Sequence, residues 1–573
     1  MLKQNQLIKT TQGDILNQME KDSPVSNRII LIATILFLAA IFVLSLNQIS
    51  DFDTGYHLKT GEYIVQHLTI PRYDIFSYSA QGARWIAHYW LSDVLFYLVN
   101  LISGFKGLIV FVSLISALTY YIILKTAWDK TKKSIIPLLV LFILSYLSLE
   151  LWVVRPQIFT YLFAALLIFI LERWRISGNK KMLYWLPLLF LIWANMHAGV
   201  ILGFAILLAY TVGLVIKRIK SPESIKLPLI IFLSSCLTTL INPNGYKLLI
   251  YDFIISPTVQ EMGTSEWKSI LHNLSTWQSK AFIALMIVSL LIVWWRALNK
   301  KRFFDIDWTS VALISGFFIM PLISVRHVGL FPIAAIPLVS YALYDIISEK
   351  KIEIDSRPII WIFSGILMAV VIAGTAYRIW NRPVVNETLL PVKAVDFIQA
   401  NNIQGPMFNF QSSGGYLIYR LWPKQPVFMD GRSEVFAGRP DDNLITVLYG
   451  KPGWQDVVNK EYKVNYFIMW YREPTANLVG NWMLRTMSEL GFKLVYWDDA
   501  AVILVRNSPE NKSVIDKYAY NIINPFIHPS YITNAYLPEA VNEIKRALSI
   551  SPTSVILQNY AYNLALRLDQ GSK

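Results

Sequence analysis

The sequence has a single cysteine and few charged residues. Cys236 lies within an apolar run and has no second cysteine to pair with in the 573 residues, so an internal disulfide is excluded. Charged residues make up only 16% of the chain, and histidine occurs seven times. A share of charge this low argues against a chain whose surface is mostly in water.

The chain is instead rich in apolar residues. They make up 54% of the chain, with 19 tryptophans and a mean hydropathy of +0.43. This composition predicts a polytopic α-helical membrane protein. The net charge is +14, and the basic residues lie largely in short loops between apolar runs, as the positive-inside rule requires. We therefore expect the lipid bilayer, and not nucleic acid, as a partner.

Several apolar runs are long enough to cross about 30 Å of hydrocarbon. They lie at 29–46, 107–124, 135–150, 157–172, 182–216, 227–241, 280–295, 308–323, 328–345 and 358–376. The run 182–216 has basic residues at both flanks, and a single helix of roughly 35 residues would be about 52 Å long. We therefore predict two crossings, hinged at Asn195-Met196-His197-Ala198-Gly199, and about eleven transmembrane helices in all.

The basic clusters predict the orientation. They lie at 130–133, 173–181, 217–226, 296–302 and 350–351, and all are cytoplasmic if the N-terminal tail, 1–28, is cytoplasmic and the first run is an uncleaved signal anchor. The segment 47–106, the loop 242–279 and the chain after Trp380 are then exterior. We expect a multi-pass protein of the plasma (inner) membrane with a periplasmic or extracellular C-terminal part.

An acidic pair follows the first apolar run directly, in Asp51-Phe52-Asp53-Thr54-Gly55-Tyr56-His57. The spacing allows both carboxylates to share a cation or a polar substrate. The alternative is a loop whose charges merely keep it in water.

The rest of the segment 47–106 is predicted to lie on the membrane. Leu58 to Leu68 and His88 to Ile102 carry apolar residues at helical spacing, which is typical of interfacial helices. We interpret Trp85, Tyr89 and Trp90 chiefly as an aromatic belt at the membrane surface.

This arrangement resembles the GT-C superfamily of integral-membrane glycosyltransferases, in particular the bacterial aminoarabinose-transferase and protein-O-mannosyltransferase type. The resemblance covers roughly residues 25 to 380. Besides the acidic pair and the paired helices, it rests on His88-Tyr89-Trp90-Leu91, Gly104-Phe105-Lys106-Gly107, Arg155-Pro156-Gln157, Trp193-Ala194-Asn195-Met196-His197 and Asn242-Pro243-Asn244-Gly245. It implies transfer of a hexosyl or pentosyl group from a polyprenyl-phosphate carrier to an exterior glycan, lipid or protein. The further metal-binding acids that oligosaccharyltransferases carry in a later loop have no counterpart beyond Glu266.

Glycosyl transfer with inversion needs a base for the acceptor proton and a partner for the leaving phosphate. We predict Asp53 as the base, and Asp51 as a second acid or, with Asp53, as a ligand of Mg²⁺ or Mn²⁺ if a divalent cation is used. The other candidates are His57 and His88 as catalytic residues, Arg326, Arg155 and His197 at the donor phosphate, and Glu266, Trp267 and Tyr89 as acceptor-binding or accessory residues. Each arginine is alternatively a snorkelling helix end.

The chain after residue 380 changes to a mixed pattern. We predict an α/β domain at 381–510, with helices at 391–400 and 477–490 and strands at 407–410, 427–429, 466–470, 493–497 and 502–506. Gly414-Gly415-Tyr416 and Met429-Asp430-Gly431-Arg432 are interpreted first as turns and second as acceptor-binding loops. The tail 511–573 resembles one tetratricopeptide helix pair, which either caps the domain or docks a protein partner.

Two functions of other classes remain open. A transporter or flippase would need broken helices in matching halves, often with buried acids, but the sequence has no internal repeat and no Asp or Glu in the middle of an apolar run. A membrane scaffold for assembly of cell-envelope polysaccharide would leave the acidic pair and the outer arginines without a role.

Overall fold

The computed structural model describes residues 24–218, 223–251, 267–299, 305–350, 356–380, 382–471 and 476–571. The chain forms two compact units. The first consists of Met1–Asn47, Ile109–Leu249 and Gln260–Arg382, and the second of Gln48–Leu108, Ile250–Val259 and Pro383–Lys573. The segment after the first apolar run thus belongs to the same unit as the C-terminal residues.

Helices dominate the chain as far as residue 380. They are α1 Pro24–Leu44, α2 Thr54–His67, α3 Trp90–Thr131, α4 Ile136–Ser145, α5 Gln157–Ser177, α6 Leu186–Met196, α7 Val200–Arg218, α8 Glu223–Thr238, α9 Trp277–Leu298, α10 Trp308–Ile323, α11 Phe331–Glu349 and α12 Ser356–Thr375. Short 3-10 helices lie at Tyr146–Leu151, Lys180–Trp185, Ile270–Asn273 and Val325–Leu330, and a π-helix at Ala376–Trp380. A helix satisfies its own backbone hydrogen bonds, which is what an apolar run in lipid requires.

The described residues include six helices that are long and apolar enough to cross a membrane, and four shorter apolar helices of 10–17 residues. The chain is therefore a multi-pass membrane protein, while the number of eleven crossings stays a prediction. The predicted hinge of the run 182–216 is confirmed as a break, because α6 ends at Met196, His197 is extended and α7 begins at Val200.

The helices of the first unit pack as neighbours. Helix α1 packs against α12, α6 against α8, and α9, α10 and α11 against one another. Helix α7 crosses the start of α10 so closely that a Cβ at Gly213 would lie 1.9 Å from Oγ1 of Thr309. A side chain at residue 213 would therefore collide with that of Thr309 in this arrangement.

Helix α3 contains a break at Gly104, the first residue of the Gly104-Phe105-Lys106-Gly107 motif. Gly104 has φ +61° and ψ −163°, which is not helical. Four residues later, between Leu108 and Ile109, α3 passes from the second unit to the first. A positive φ costs glycine little, so the chain can change direction there without strain.

The second unit contains the remaining helices. They are α13 Val392–Ala400, α14 Gln411–Leu421, α15 Ser433–Phe436, α16 Arg439–Tyr449, α17 Trp454–Asp456, α18 Ala476–Leu490, α19 Lys512–Tyr518, α20 Leu537–Ile550 and α21 Val555–Gly571. Short 3-10 helices occupy Pro509–Asn511, Pro529–Tyr531 and Asn534–Tyr536, and a π-helix occupies Val457–Glu461. Helix α2, predicted to lie along the membrane surface, packs against α14 in this unit.

Four strands form one sheet in the second unit. They are β1 Met407–Asn409, β2 Tyr466–Met469, β3 Lys493–Trp497 and β4 Val502–Val505, in the order β1-β2-β4-β3. Strand β1 is parallel to β2, with Met407 opposite Tyr466, whereas β4 is antiparallel to both β2 and β3. The strand predicted at 427–429 does not form: Val427 makes only an isolated bridge with Ser77.

Carboxylates anchor the two C-terminal helices. Asp499 accepts hydrogen bonds of 2.9 Å from the backbone N–H groups of Val555 and Ile556 at the start of α21. Glu543 of α20 accepts from the N–H groups of residues 521, 522 and 523. These contacts fix α20 and α21 within the second unit, and the tetratricopeptide-like character of the pair stays a prediction.

Candidate functional site

The predicted acidic pair forms a turn at the start of α2. The backbone N–H of Asp53 donates a 2.9 Å hydrogen bond to Oδ1 of Asp51, and Asp53 occupies the N-cap position of α2 without a side-chain capping bond. Both carboxylates are half-buried. The positive end of the helix dipole favours a negative charge at Asp53.

Two glycines bring two C-terminal segments against this turn, and a third brings those two segments against each other. A Cβ at Gly431 would lie 2.0 Å from Oδ1 of Asp53, and one at Gly415 would lie 2.1 Å from the carbonyl oxygen of Phe52. A Cβ at Gly414 would lie 2.1 Å from the carbonyl oxygen of Met429. Gly414 and Gly415 lie inside α14, so their interpretation as a turn is wrong. The close approach of α14 and of the loop around Gly431 requires glycine.

A buried arginine fixes the loop that carries Gly431. Arg432 is 3% exposed and donates hydrogen bonds of 2.7 and 2.6 Å to the two carboxylate oxygens of Asp430 and one of 2.6 Å to Oδ1 of Asp74. Its guanidinium lies 4.4 Å from the ring centroid of Trp85. Trp85 is thus buried beneath a charge, which corrects its interpretation as part of an aromatic belt. Burial raises the pKa of the Asp430 carboxyl, while the ion pair with Arg432 lowers it.

His57 pairs with an acid that the sequence analysis missed. Its Nδ1 lies 2.7 Å from Oδ1 of Asp93, and the two side chains are 2% and 1% exposed. The ring of Tyr89 meets that of His57 edge-on, with centroids 5.0 Å apart. A buried carboxylate orients an imidazole and selects its tautomer. Asp93 stands in the first turn of α3, where an acid before an apolar run was visible in the sequence.

A second missed acid lies among aromatic rings. Glu434 of α15 is half-buried and is hydrogen-bonded to the hydroxyl of Tyr251, whose ring centroid lies 4.0 Å from that of His88. His88 is 3% exposed, with Nδ1 2.9 Å from the carbonyl oxygen of Ile86. Burial raises the pKa of Glu434 to about 7. Burial first, and then the charge of Asp53, raise the pKa of Tyr56.

The first unit holds the residues predicted for the donor phosphate. The guanidinium of Arg326 lies 4.5 Å from the ring centroid of Trp267, so these two predicted residues meet. The segment Val325–Leu330 packs against Tyr146–Leu151, and the half-buried Arg155 follows that helix by a few residues. Glu266 lies outside the described residues.

His197 occupies the break between α6 and α7. Its Nδ1 accepts a 2.8 Å hydrogen bond from the backbone N–H of Gly199 and lies 2.9 Å from the hydroxyl of Thr160. Thr160 in turn accepts a 3.0 Å hydrogen bond from the indole of Trp193. Because Nδ1 is an acceptor, the proton of the neutral ring is on Nε2. These contacts hold the ring of His197 in place at the break.

The described residues contain no group of three or more His, Cys, Asp or Glu side chains that could hold a metal ion. Asp51 and Asp53 supply two carboxylates, and Oδ1 of Asp51 already accepts the N–H of Asp53. Mg²⁺ needs six oxygen ligands in near-octahedral geometry, and Mn²⁺ has similar preferences. The two carboxylates of the acidic turn do not by themselves provide six ligands.

Comparison with known proteins identifies the fold. Neither a protein-family model nor a curated protein matches the chain. The archaeal oligosaccharyltransferase AglB from Archaeoglobus fulgidus, solved with an inhibitory peptide and a dolichol-phosphate, is similar over 88% of this chain and 76% of its own, with 10% identity and a TM-score of 0.55. The apo form of the Archaeoglobus fulgidus oligosaccharyltransferase is similar over 87% and 76%, with 11% identity and a TM-score of 0.51.

AglB is a GT-C superfamily glycosyltransferase, and the chain shares its fold. The resemblance to the GT-C superfamily predicted from the sequence is therefore confirmed at the level of the fold.

Proposed function

We propose that this protein is a membrane glycosyltransferase that moves a sugar from a polyprenyl-phosphate carrier to an exterior acceptor. The GT-C fold supports the class of reaction. The similar AglB structure contains a dolichol-phosphate and a peptide, which supports a lipid-linked donor and a separate acceptor here.

The proposal rests on the position of the Asp53 carboxylate and on the residues that surround it. Its carboxylate lies half-buried at the N-terminus of α2, with Gly431 so close that any side chain at that position would collide with it. Behind the turn lie the buried Arg432–Asp430–Asp74 ion pairs and the buried His57–Asp93 pair. A carboxylate held in place yet partly open to solvent meets the first requirement of a general base.

In the proposed step Asp53 accepts the proton of the acceptor hydroxyl. The acceptor oxygen forms a bond to the anomeric carbon, while the bond from that carbon to the phosphate oxygen breaks and its electron pair leaves on the phosphate. Arg326, Arg155 and His197 are the proposed ligands of that phosphate, because charge-assisted bonds stabilise the developing negative charge. Trp267 supports the guanidinium of Arg326.

The two predicted catalytic histidines fit a positioning role. His57 and His88 are 2% and 3% exposed, and the backbone N–H of His57 donates a 3.2 Å hydrogen bond to the carbonyl oxygen of Asp53. We propose that they hold the acidic turn. Tyr89, which contacts the rings of both, then belongs to the same support.

The test compares Asp53→Asn with Asp51→Asn in purified protein supplied with a polyprenyl-phosphate-linked sugar. We expect Asp53→Asn to abolish transfer, because an amide cannot act as a base. Asp51→Asn keeps an oxygen that can accept the N–H of Asp53, so it is the matched control and should retain most activity. A strong loss in both variants, together with loss in EDTA, would instead assign Asp51 to a cation; full activity of Asp53→Asn would show that Asp53 is not the base.

A further inference from the structure

The first unit contains a large charged cavity that the proposed function does not use. The cavity has a volume of about 1190 Å³ and is lined by the ends of α3, α5, α7, α9 and α11 and the start of α10. Arg326, Arg155 and His197 do not line it. Ligand sites commonly have volumes of roughly 300–1,000 Å³, so the cavity is large enough for a small molecule or a lipid headgroup.

A buried glutamate holds two of the cations beside the cavity. Glu172 is 2% exposed and accepts hydrogen bonds of 2.6 Å from the hydroxyl of Tyr210 and 2.8 Å from Arg175, and it forms an ion pair with Lys130. Arg175 also donates a 2.8 Å hydrogen bond to Asp307. Ionisable groups within apolar helices are costly unless paired, and a paired set of this size is a candidate functional site.

Two further lysines line the cavity without such partners. Lys180 and Lys217 are exposed and form no ion pair with any residue in the described part of the chain, whereas Arg296 pairs with Asp345. Asp305, also on the lining, offsets one of the two lysine charges. Over the whole lining, five basic and four acidic side chains leave a net charge of +1. Lys180 and Lys217 are therefore the groups that would attract an anion.

Exposed aromatic side chains mark the depth of the cavity in the membrane. Tyr184 and Trp185 follow Lys180 by a few residues and are 60% and 64% exposed, and Trp295 beside Arg296 is 52% exposed. Tryptophan and tyrosine concentrate at the level of the lipid headgroups. The phosphates of membrane lipids lie at that level too.

We propose that this cavity binds a phosphate-bearing group at the membrane surface, with Lys180 and Lys217 contacting the phosphate oxygens. A phospholipid headgroup and free phosphate share this chemistry. The fixed cations Arg175 and Arg296 form the wall of the site, and the aromatic rings of Trp174 and Trp308 supply its apolar part. The site is independent of sugar transfer.

The test measures lipid binding by native mass spectrometry of the delipidated full-length protein with added phosphatidylglycerol. We expect wild type to bind the lipid and the double variant Lys180→Ala/Lys217→Ala to bind it roughly 10- to 30-fold more weakly, from the contribution of two lysines near an anionic headgroup. The double variant Lys181→Ala/Lys350→Ala removes the same charge from exposed residues outside the cavity and should bind as wild type does.

A second arm uses inorganic phosphate alone. Displacement of phosphatidylglycerol only at high phosphate supports the lipid headgroup as the occupant; lysine-dependent binding of phosphate without lipid binding supports free phosphate. Equal lipid binding by the two double variants, or no binding of either probe by wild type, would overturn the proposal. Because all four lysines are exposed, thermal melting should show that both variants fold.

Discussion

Replacing Arg432 by methionine should destabilise the second unit strongly. The substitution removes the three hydrogen bonds to Asp430 and Asp74 and leaves two carboxylates that are 0% and 3% exposed without a cation. Breaking a buried ion pair by removing one partner costs about 3–5 kcal/mol. For a unit of this size we expect the melting temperature to fall by roughly 6–20 °C.

The assay is a thermal scan of intrinsic tryptophan fluorescence on detergent-purified full-length protein. Arg439→Met is the matched control, because Arg439 is 76% exposed and its ion pair with Glu461 contributes at most about 1 kcal/mol. Burial raises the pKa of Asp430, and loss of the Arg432 charge should raise it further. The deficit of Arg432→Met should therefore shrink at acid pH, where Asp430 is protonated in both states. Equal melting shifts in the two variants would show that the buried ion pairs of Arg432 do not stabilise the second unit.

Three further outcomes are expected. Arg326→Lys should weaken binding of a polyprenyl-phosphate analogue to purified protein, because an ammonium cannot make a planar two-donor contact, and equal affinity would leave Arg326 as a snorkelling helix end. The pKa of Glu434 is raised from 4.5 to about 7 in the folded state, so wild type should lose stability relative to Glu434→Gln as the pH rises from 4.5 to about 7. Above that pH the difference in stability should be constant. A pH series of melting temperatures without this trend would contradict the raised pKa. Reporter fusions after Trp380 and within 217–226 should report opposite sides of the membrane, and the same side for both would break the predicted topology.

Much of the helical fold is predictable because apolar runs specify helices directly. The break at His197 followed from length and flanking charge alone. The break at Gly104 lies where the sequence has Gly-Phe-Lys-Gly. The segment 427–429 shows why a predicted strand can be wrong. Its Val-Phe-Met run is buried, yet its backbone hydrogen bonds go to the backbone of Phe76 and Tyr78 and to the side chain of Asn409, not to the backbone of a neighbouring strand. Local pattern does not specify such partners.

The candidate site was predictable only in part. Asp51, Asp53 and His57 lie within seven residues of one another, so their local spacing predicts that they act together. Asp93 and Glu434 reach the site only through the tertiary structure. Asp93 lies 36 positions from His57 in the chain, and no local spacing pattern links either acid to the Asp51–His57 segment. The role of Gly431 is equally non-local, because it depends on a loop 378 positions beyond Asp53 in the chain.

Release of polyprenyl phosphate from a polyprenyl-phosphate-linked sugar, by purified and reconstituted protein in the presence of an acceptor, tests directly whether the protein transfers the sugar with Asp53 as the base. We expect wild type to release the carrier phosphate in proportion to the sugar transferred, and Asp53→Asn to release none while melting at the same temperature. Release by Asp53→Asn at the wild-type rate, or binding of the donor by wild type without release across a panel of glycan, lipid and protein acceptors, would contradict this expectation.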